Sequence, residues 1–315
     1  TLDAASFDVT VSFGVECPAG DLAVVGSVHR AWLSRSGPVH TPFGDVPAGL
    51  RLAMPRHRAL LWLERRYFRD PRLRSVLAAS VATADEVVDV YGLRRDLVQV
   101  MPNGFDPDEF GPGARTTSRV EQRRRMGVDD DVVVLFVANE LHRKGFDTLL
   151  DAAARVGDPR VRIELVGRAD PSAYRDRIAQ LHLTDRVHWN GPQLEVAPWY
   201  AGADLLVLPT RYEPFGNVVV EALACGLPVI TSTAAGAAVA VQPEVNGLLQ
   251  QHPEDAAELA TLLATALEPG RLAGWSRAAP ATVARFEWHV VARQLLATIE
   301  RVAAERARAH WGRGR

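Results

Sequence analysis

The chain has 315 residues, of which 47% are hydrophobic and 23% charged, a composition that is ordinary for a globular protein and leaves room for two domains. Its formal net charge of −2 argues against the strongly basic surface that nucleic-acid-binding proteins need. Every apolar run is shorter than the roughly 18 residues of a membrane-spanning helix, so the sequence predicts no transmembrane segment.

The first third of the chain predicts a mixture of strands and helices. The alternating run at 7–13 predicts a strand, and the Pro- and Gly-rich residues 36–55 predict a loop region. An Arg-rich pattern at 56–69 predicts a helix, and the run at 97–102 predicts another strand. Because the chain begins at Thr1 and enters its first strand almost at once, we expect it to start inside a domain.

From residue 132 onward, predicted strands and amphipathic helices alternate. The predicted strands are 132–138, 162–167, 187–191, 204–209, 228–231 and 246–250. The predicted helices are 146–156, 171–182, 216–225 and 254–267. This alternation predicts a parallel sheet covered on both faces, a doubly wound α/β domain. Ligands of such a domain lie outside the carboxyl ends of the strands, at helix N-termini.

Two segments suggest how the chain is divided. Residues 110–118 are rich in Gly, Pro, Ser and Thr and predict a linker between two α/β halves. The pattern at 286–311 predicts one long helix, which a basic tail at 312–315 follows. We interpret the tail as a solvated chain end rather than a surface for anionic lipid.

The stretch HRKGFD contains Lys144, the single lysine among the 36 Lys and Arg residues. Arg143 and Lys144 lie between a predicted strand and a predicted helix. A helix start attracts anions because its first N–H groups are unsatisfied, and two adjacent cations strengthen this preference for phosphate. Lysine is a compact charge on a flexible stem, so it can follow charge that moves between phosphate oxygens. The alternative is a surface pair that forms salt bridges.

A second candidate site lies at 204–232, where a buried strand, a loop and a helix follow one another. Glu213 lies in the loop, and Glu221 lies two turns inside the apolar helix that starts near Asn217. A carboxylate in an apolar setting is costly without a partner, so we expect Glu221 to face a crevice that holds hydroxyl donors. The hydroxyls of a sugar or a ribose meet this requirement, although glutamates at this spacing also occur on solvated helices.

Residues 204–232 resemble the Glu-x7-Glu signature of glycosyltransferase family 4, whose members are retaining enzymes with the GT-B fold. HRKGFD resembles the phosphate-contacting motif of this family, and 81–110 is similar to its domain-closing segment. The run at 26–33 is similar to a stretch in the lipopolysaccharide-core hexosyltransferase branch. The resemblance covers most of residues 20–290.

This resemblance implies an α/β fold of the GT-B type with two Rossmann-like doubly wound domains, of which the N-terminal one is incomplete. Family members begin with a strand and a Gly-rich loop that does not precede Thr1, so we expect a βαβ unit to be absent. The expected domains are an acceptor-side domain over 1–112, a donor-binding domain over 113–285, and a helix with the basic tail over 286–315 that returns toward the N-terminal domain.

The resemblance also implies roles for the matching residues. Glu213 would hold hydroxyls of the donor sugar, Glu221 would hold the ribose, and Arg143 with Lys144 would hold the diphosphate. The main task of the enzyme would be to stabilise the negative charge that grows on the β-phosphate. Backbone amides at the start of a helix, those of Phe215, Gly216 and Asn217, would assist the phosphates or the sugar. His29 would contact the donor sugar or the phosphate from the N-terminal domain. Asn139 and Gly191 are two further donor-binding candidates.

Two positions depart from the family pattern. Asn139 stands five residues before the lysine, where many members have an arginine. The acidic residue expected shortly before His29 is missing, because the chain has Gly26 and Ser27 there.

We expect no metal ion and no cofactor, since the nucleotide sugar is a co-substrate. The DPD run at 106–108 imitates a metal-binding Asp-x-Asp but follows an Asn-Gly turn, so we interpret it as a cap in a loop. The nine histidines show no HExxH spacing, and Cys17 and Cys225 show no metal-binding spacing. We interpret both cysteines as small buried hydrophobic residues.

The expected function is transfer of a hexose from a nucleoside-diphosphate sugar, first of all a UDP-hexose, to a glycan or glycolipid acceptor in cell-envelope polysaccharide biosynthesis. The alternatives are a GT-B nucleotide-sugar epimerase-hydrolase and a non-catalytic nucleotide-sugar-binding or scaffold protein. Whether the incomplete chain is active stays open. We expect a cytoplasmic protein without a nucleic-acid partner. The Arg-rich segment 50–69 leaves peripheral contact with the inner face of the membrane as an alternative to a packing helix.

Overall fold

The computed structural model describes residues 7–14, 20–36, 39–41, 44–46, 48–128 and 130–311. The predictions for Cys17 and for the tail at 312–315 lie outside these residues. The chain divides into two compact units: unit 1 combines Thr1–Asn103 with His289–Arg315, and unit 2 is Gly104–Trp288.

The secondary structure follows in chain order. The strands are β1 (Val11–Phe13), β2 (Leu22–Val25), β3 (Val39–Thr41), β4 (Gly44–Val46), β5 (Ser75–Ala78), β6 (Val98–Val100), β7 (Val132–Val137), β8 (Val161–Val166), β9 (Val187–Trp189), β10 (Leu205–Leu208), β11 (Val229–Ser232) and β12 (Gly247–Gln250). The helices are α1 (His29–Arg35), α2 (Ala48–Ala53), α3 (Pro55–Phe68), α4 (Val81–Tyr91), α5 (Pro112–Met126), α6 (Phe146–Val156), α7 (Arg175–Gln180), α8 (Ala197–Gly202), α9 (Asn217–Ala224), α10 (Ala256–Ala266), α11 (Arg271–Val283) and α12 (Trp288–Trp311).

Unit 1 contains a parallel four-stranded sheet in the order β1-β2-β5-β6, together with the antiparallel hairpin β3-β4. The C-terminal helix α12 packs onto this sheet, where Val291 joins the buried residues Leu22, Leu77 and Met101. None of the helices in the described ranges combines the length and the hydropathy that crossing a lipid bilayer requires.

Unit 2 contains a parallel six-stranded sheet in the order β12-β11-β10-β7-β8-β9. All residues of β10 and β11 are buried, as expected for central strands with helices on both faces. The first strand of the unit, β7, lies between β8 and β10, so the strand order reverses at β7. This is the Rossmann order, in which ligands bind where the order reverses, outside the carboxyl ends of β7 and β10.

The prediction of doubly wound α/β folding is confirmed, but the predicted linker at 110–118 is wrong. Helix α5 begins inside that segment, with Gly111 as its N-cap and Pro112 in the first turn, and the chain divides between Asn103 and Gly104 instead. Proline is favoured at the first helical position because it has no N–H to leave unpaired. The glycine and proline that suggested a loop therefore mark a helix start.

Other elements differ from their predictions in extent. The predicted loop region 36–55 contains β3, β4 and α2, and the predicted strand 7–13 is reduced to β1. The predicted helix 171–182 consists of a 3₁₀ turn over Pro171–Tyr174 followed by α7. Elements of only three to six residues are too short to show a hydrophobic period that fixes their type and extent from a single sequence.

Candidate functional site

The loops that follow β7 and β10 come into close contact at the carboxyl edge of the unit 2 sheet. Gly145 ends the first loop and is the N-cap of α6, with φ of +80°. A Cβ atom at this position would lie 2.1 Å from the carbonyl oxygen of Pro209, in the second loop. Only glycine combines this backbone conformation with this close approach, so the residue fixes how near the two loops lie.

Lys144 and Glu213, one from each loop, form an ion pair through the lysine Nζ and the carboxylate Oε2. Arg143 Nη1 lies 3.3 Å from the same oxygen. The side chains of these three residues are only 11 to 12% exposed. The structure therefore brings together, in one buried cluster, the two cations and the loop glutamate that were predicted from the sequence.

The environment of Lys144 makes its charge dependent on nearby anions. Burial lowers the pKa of Lys144 and the neighbouring guanidinium of Arg143 lowers it further, whereas Glu213 opposes both effects. Burial disfavours a charged amine, and a like charge nearby does the same. A negative ligand at this position would hold the ammonium in its charged form.

One oxygen of the Glu213 carboxylate is open. Oε2 accepts from Lys144 and Arg143, while Oε1 has no hydrogen-bond partner among the described residues. The backbone is anchored to the segment after β11, since Glu213 N donates to Ala234 O at 3.2 Å and Gly236 N donates to Glu213 O at 2.9 Å. The carboxylate is thus held in place with one acceptor available to a ligand.

Arg143 is largely engaged by the protein itself. Its Nε and Nη2 donate to the two carboxylate oxygens of Glu140, each at 3.0 Å. Its Nη1 donates to Tyr212 O at 2.6 Å as well as contacting Glu213. These contacts use four of the five N–H donors of the guanidinium. Arg143 therefore orients the loop and Glu213, and Lys144 is the cation with more freedom to meet a ligand.

Helix α9 starts beside Glu213. Gly216 is its N-cap, with φ of +98°, and Asn217 is its first residue. The backbone N–H groups of Phe215 and Gly216 donate to no acceptor among the described residues. Backbone amides at a helix start favour anions, so this turn presents donors to a negative group.

Glu221 lies further along α9 and is held by a neutral partner. The buried hydroxyl of Tyr200 donates to its Oε2 at 2.8 Å. Burial raises the pKa of Glu221, and the nearby Glu109 adds to the rise, whereas the bond from Tyr200 counteracts it. Its Oε1 accepts no hydrogen bond from the described residues. As with Glu213, one carboxylate oxygen is left for hydroxyl donors.

Asn139 and Gly191 lie at the same carboxyl edge, near the ends of β7 and β9. Asn139 Oδ1 accepts from Arg168 N at 2.9 Å, and Gly191 O accepts from Gly167 N at 3.0 Å. Neither makes a described hydrogen bond or ion pair with Lys144 or with Glu213. The structure therefore gives both residues a part in joining the strand ends to one another.

His29 belongs to unit 1 and starts helix α1. Its backbone N–H donates to Glu64 Oε1 at 2.7 Å, and its Nε2 lies 3.1 Å from His57 Nδ1. Burial lowers the pKa of His29, followed by the effect of His57 and nearby arginines. The imidazole is therefore biased toward its neutral form. Glu64, an acidic residue within the Arg-rich helix α3, is buried and accepts from the first N–H groups of α1.

Arg211 was not identified from the sequence, although it braces the loop that carries Glu213. Its guanidinium contacts both carboxylate oxygens of Asp147 at 2.9 and 2.8 Å, and it also reaches Glu254 at 3.0 Å. These partners lie 64 and 43 residues away in sequence. Tyr200 was missed for the same reason. The sequence shows that Arg211 lies near Glu213 in the same loop, but it does not tell which distant carboxylates Arg211 contacts.

The residues of the DPD run serve the local backbone. Asp106 Oδ1 accepts from Asp108 N at 2.9 Å, which closes the turn. Within the described part of the chain, no three His, Cys, Asp or Glu side chains lie together in a way that could hold a metal ion.

The fold, with one Rossmann-type sheet in unit 2 and a parallel sheet in unit 1, is that of a glycosyltransferase of the GT-B type. A family model described as "Glycosyl transferases group 1" matches residues 131–268, and one described as "Glycosyltransferase Family 4" matches residues 5–109. Together these matches span most of the chain. The protein belongs to glycosyltransferase family 4.

Its relatives include enzymes named D-inositol 3-phosphate glycosyltransferase. The protein of that name from Segniliparus rotundus is 35% identical over 268 residues, which cover 81% of this chain and 56% of that protein. The one from Geodermatophilus obscurus is 36% identical over 247 residues, covering 72% of this chain and 53% of that protein. The chain thus spans about half the length of the curated relatives it matches.

Solved structures with the same fold include those of HepE and WaaG. HepE from Anabaena, solved in complex with UDP and glucose, is 27% identical, with a TM-score of 0.70 over 89% of this chain and 71% of that chain. WaaG, a glycosyltransferase involved in lipopolysaccharide biosynthesis, is 22% identical, with a TM-score of 0.76 over 92% of this chain and 77% of that chain. The second likeness concerns the fold alone.

Proposed function

We propose that the protein transfers a hexose from a nucleoside-diphosphate sugar to an acceptor hydroxyl, with retention of the anomeric configuration. The observation that carries the proposal is the buried cluster of Lys144, Glu213 and Arg143 outside the carboxyl ends of β7 and β10. A crevice where the strand order reverses is the ligand position of a doubly wound sheet. The cluster presents cationic and acceptor groups there, side by side.

Each group has a task in this proposal. Lys144 and the backbone amides of Phe215 and Gly216 stabilise the negative charge that grows on the departing diphosphate. The open oxygen of Glu213 accepts from donor-sugar hydroxyls, and the open oxygen of Glu221 accepts from the ribose. Arg143 acts through Glu213 and Lys144 by fixing where they lie. Because these groups supply the charge stabilisation, we propose that transfer needs no metal ion.

The donor is proposed to be a UDP-hexose. HepE has been solved with UDP and glucose and with UDP-glucose, and it is similar to most of this chain. The nucleotide is expected to bind with its diphosphate at Lys144, where burial makes the ammonium dependent on an anion. The pH dependence of binding is expected to follow the protonation of this amine.

The acceptor is proposed to be a glycan or a glycolipid, in line with the likeness to WaaG in fold. A second candidate is an inositol phosphate, which the names of the relatives from Segniliparus rotundus and Geodermatophilus obscurus favour. The two candidates differ in charge and size, so a direct comparison separates them.

The experiment is an assay of nucleoside-diphosphate release from UDP-glucose, UDP-galactose, UDP-N-acetylglucosamine and GDP-mannose. Each donor is tested alone, with inositol 3-phosphate and with a lipopolysaccharide-core acceptor, in the presence and absence of EDTA. We expect UDP-sugars to react in preference to GDP-mannose, and EDTA to leave the rate unchanged. Binding of every donor without any release would instead support the non-catalytic alternative.

A further inference from the structure

A cavity of about 520 Å³ lies at the opposite edge of the unit 2 sheet from Lys144 and Glu213. Its lining includes Val132, the first residue of β7, and Asp204, the residue immediately before β10. Both mark the amino ends of the strands. The cavity is therefore separate from the proposed donor site, and a ligand bound in it would be independent of the proposed function.

The charged residues that line this cavity are mostly arginines. They are Arg115, Arg119, Arg160, Asp204, Glu268 and Arg277. Arg115, Arg119 and Arg123 follow one another at four-residue spacing on α5, so their side chains share one face of the helix. Their guanidinium groups donate to backbone carbonyl oxygens at the end of α8, and those of Arg119 and Arg123 also donate to Asp204.

Asp204 accepts three hydrogen bonds from neighbouring groups. Its carboxylate accepts from Arg119 at 2.5 Å, from Arg123 at 2.9 Å and from the backbone N–H of Val133 at 2.9 Å. One carboxylate therefore serves two guanidinium groups.

Arg115 has no carboxylate partner among the described residues. Its Nη1 donates to the carbonyl oxygen of Ala203 at 3.0 Å, a neutral acceptor. Burial and the neighbouring Arg119 lower the pKa of Arg115 to about 10, although Asp204 counteracts them. Asp204 therefore offsets only part of the effect of burial and of Arg119, and the guanidinium of Arg115 forms no ion pair of its own with the described residues.

Among the other arginines that line the cavity, only Arg277 also lacks an ion pair with the described residues. Arg160 pairs with Asp158 at 2.7 Å, and Glu268 pairs with Arg271 at 2.5 Å. Arg277 is exposed and forms no ion pair with the described residues. Arg115 on α5 and Arg277 on α11 thus line the same cavity, and neither forms an ion pair with the described residues.

We infer that this cavity binds the phosphate group of a small molecule through Arg115 and Arg277. Guanidinium groups match the oxygens of a phosphate with paired N–H donors, and two of them balance its two negative charges. The volume lies in the range of small-molecule sites and exceeds what phosphate alone needs, so a phosphate ester or a diphosphate fits best.

The test is calorimetric titration of pyrophosphate at constant ionic strength into protein that carries Lys144→Ala, which weakens binding at the proposed donor site. Arg277→Gln and Arg115→Gln are each expected to weaken pyrophosphate binding about tenfold, the loss expected for one charge-assisted contact. Arg125→Gln is the matched control, because Arg125 lies on the same helix and pairs with Glu121 outside the cavity. It is expected to leave the affinity unchanged.

Arg277 is exposed, so Arg277→Gln is expected to fold even if Arg115→Gln does not. Equal pyrophosphate affinity in the parent protein and in Arg277→Gln would overturn the inference, as would the absence of any binding at millimolar pyrophosphate. Sedimentation with phosphatidic acid vesicles separates a lipid headgroup from a free ligand. The inference would also be overturned if Arg277→Gln weakened binding to the vesicles but left pyrophosphate binding unchanged.

Discussion

At the scale of single residues, Lys144 is one lysine in a chain that otherwise uses arginine as its basic residue. Arg143 and Lys144 are neighbours, yet the protein uses four N–H donors of the arginine for internal bonds. The Lys144 ammonium, on a flexible stem, pairs with Glu213. We therefore propose that the two residues have different tasks: the rigid planar group of Arg143 holds the loop, and the ammonium of Lys144 contacts the ligand.

We predict that Lys144→Ala lowers turnover of the donor by about 10² to 10³, the scale expected when one transition-state charge contact is removed. Lys144→Arg is expected to be impaired less, because it keeps the charge but not the compact shape. Initial rates of nucleoside-diphosphate release measure both variants. Turnover near the wild-type value in Lys144→Ala would mean that the lysine does not contact the diphosphate.

Glu221 is a largely buried carboxylate that lowers stability at neutral pH, and its proposed role in binding the ribose explains why the chain keeps it. Burial raises its pKa above the ordinary value of 4.5, so the folded state favours the protonated form. The contribution of Glu221 to stability is therefore greatest below about pH 4.5 and falls as the pH rises to its folded pKa, above which it stays constant. At neutral pH this carboxylate destabilises the fold.

We predict that Glu221→Gln raises the melting temperature at pH 7.5 by about 2 to 4 °C, as a gain of about 1 kcal/mol would do. The amide keeps an acceptor for Tyr200 without the buried charge. The gain is expected to disappear as the pH falls toward 4.5, while donor binding weakens at every pH. Differential scanning calorimetry of both proteins across this range provides the measurement, with Glu195→Gln as the control, because Glu195 is exposed and forms no ion pair with the described residues.

At the scale of elements, the approach of two loops decides the geometry of the site. Helix α6 has a left-handed glycine at each end, Gly145 at its start and Gly157 at its C-cap. They differ in surroundings, since an added Cβ would meet Pro209 O at 2.1 Å at the first but lies 4.0 Å from Ala154 O at the second. The same substitution at the two ends therefore separates backbone strain from steric overlap.

We predict that Gly157→Ala costs about 1 kcal/mol of unfolding free energy, from the left-handed conformation alone. Gly145→Ala is expected to cost about 3 kcal/mol or more, because the loop must also move away from β10. Urea denaturation measures both free energies. Equal costs would show that the two loops do not depend on this contact.

Sequence patterns predicted these elements unevenly. Helix α6 and strands β7 and β10 were predicted because strong apolar periodicity surrounds them, and the loops with Lys144 and Glu213 were located with them. Helix α5 was missed, since its amphipathic signal is weak and Gly111 with Pro112 suggested a loop. The bonds from Arg211 to Asp147 and from Tyr200 to Glu221 could not be predicted, because residue spacing does not tell which distant side chains will meet.

At the scale of the whole molecule, the chain contains two α/β units, each with a parallel sheet, and its C-terminal helix packs in unit 1. The groups proposed to bind the nucleotide lie in unit 2, whereas His29 lies in unit 1. Donor binding is therefore expected to be a property of unit 2 that can be measured without any acceptor. A nucleotide that binds only the folded state stabilises that state. Its binding can therefore be detected because the segments that contact it open more slowly.

The most direct test is hydrogen exchange, followed by mass spectrometry, of the whole protein with and without UDP. We predict that UDP slows hydrogen exchange in the loops at 138–145 and 209–217, and that Lys144→Ala greatly reduces this protection. Protection confined to other segments, such as the region of Arg115 and Arg277, would contradict it, and so would equal protection in the Lys144→Ala protein.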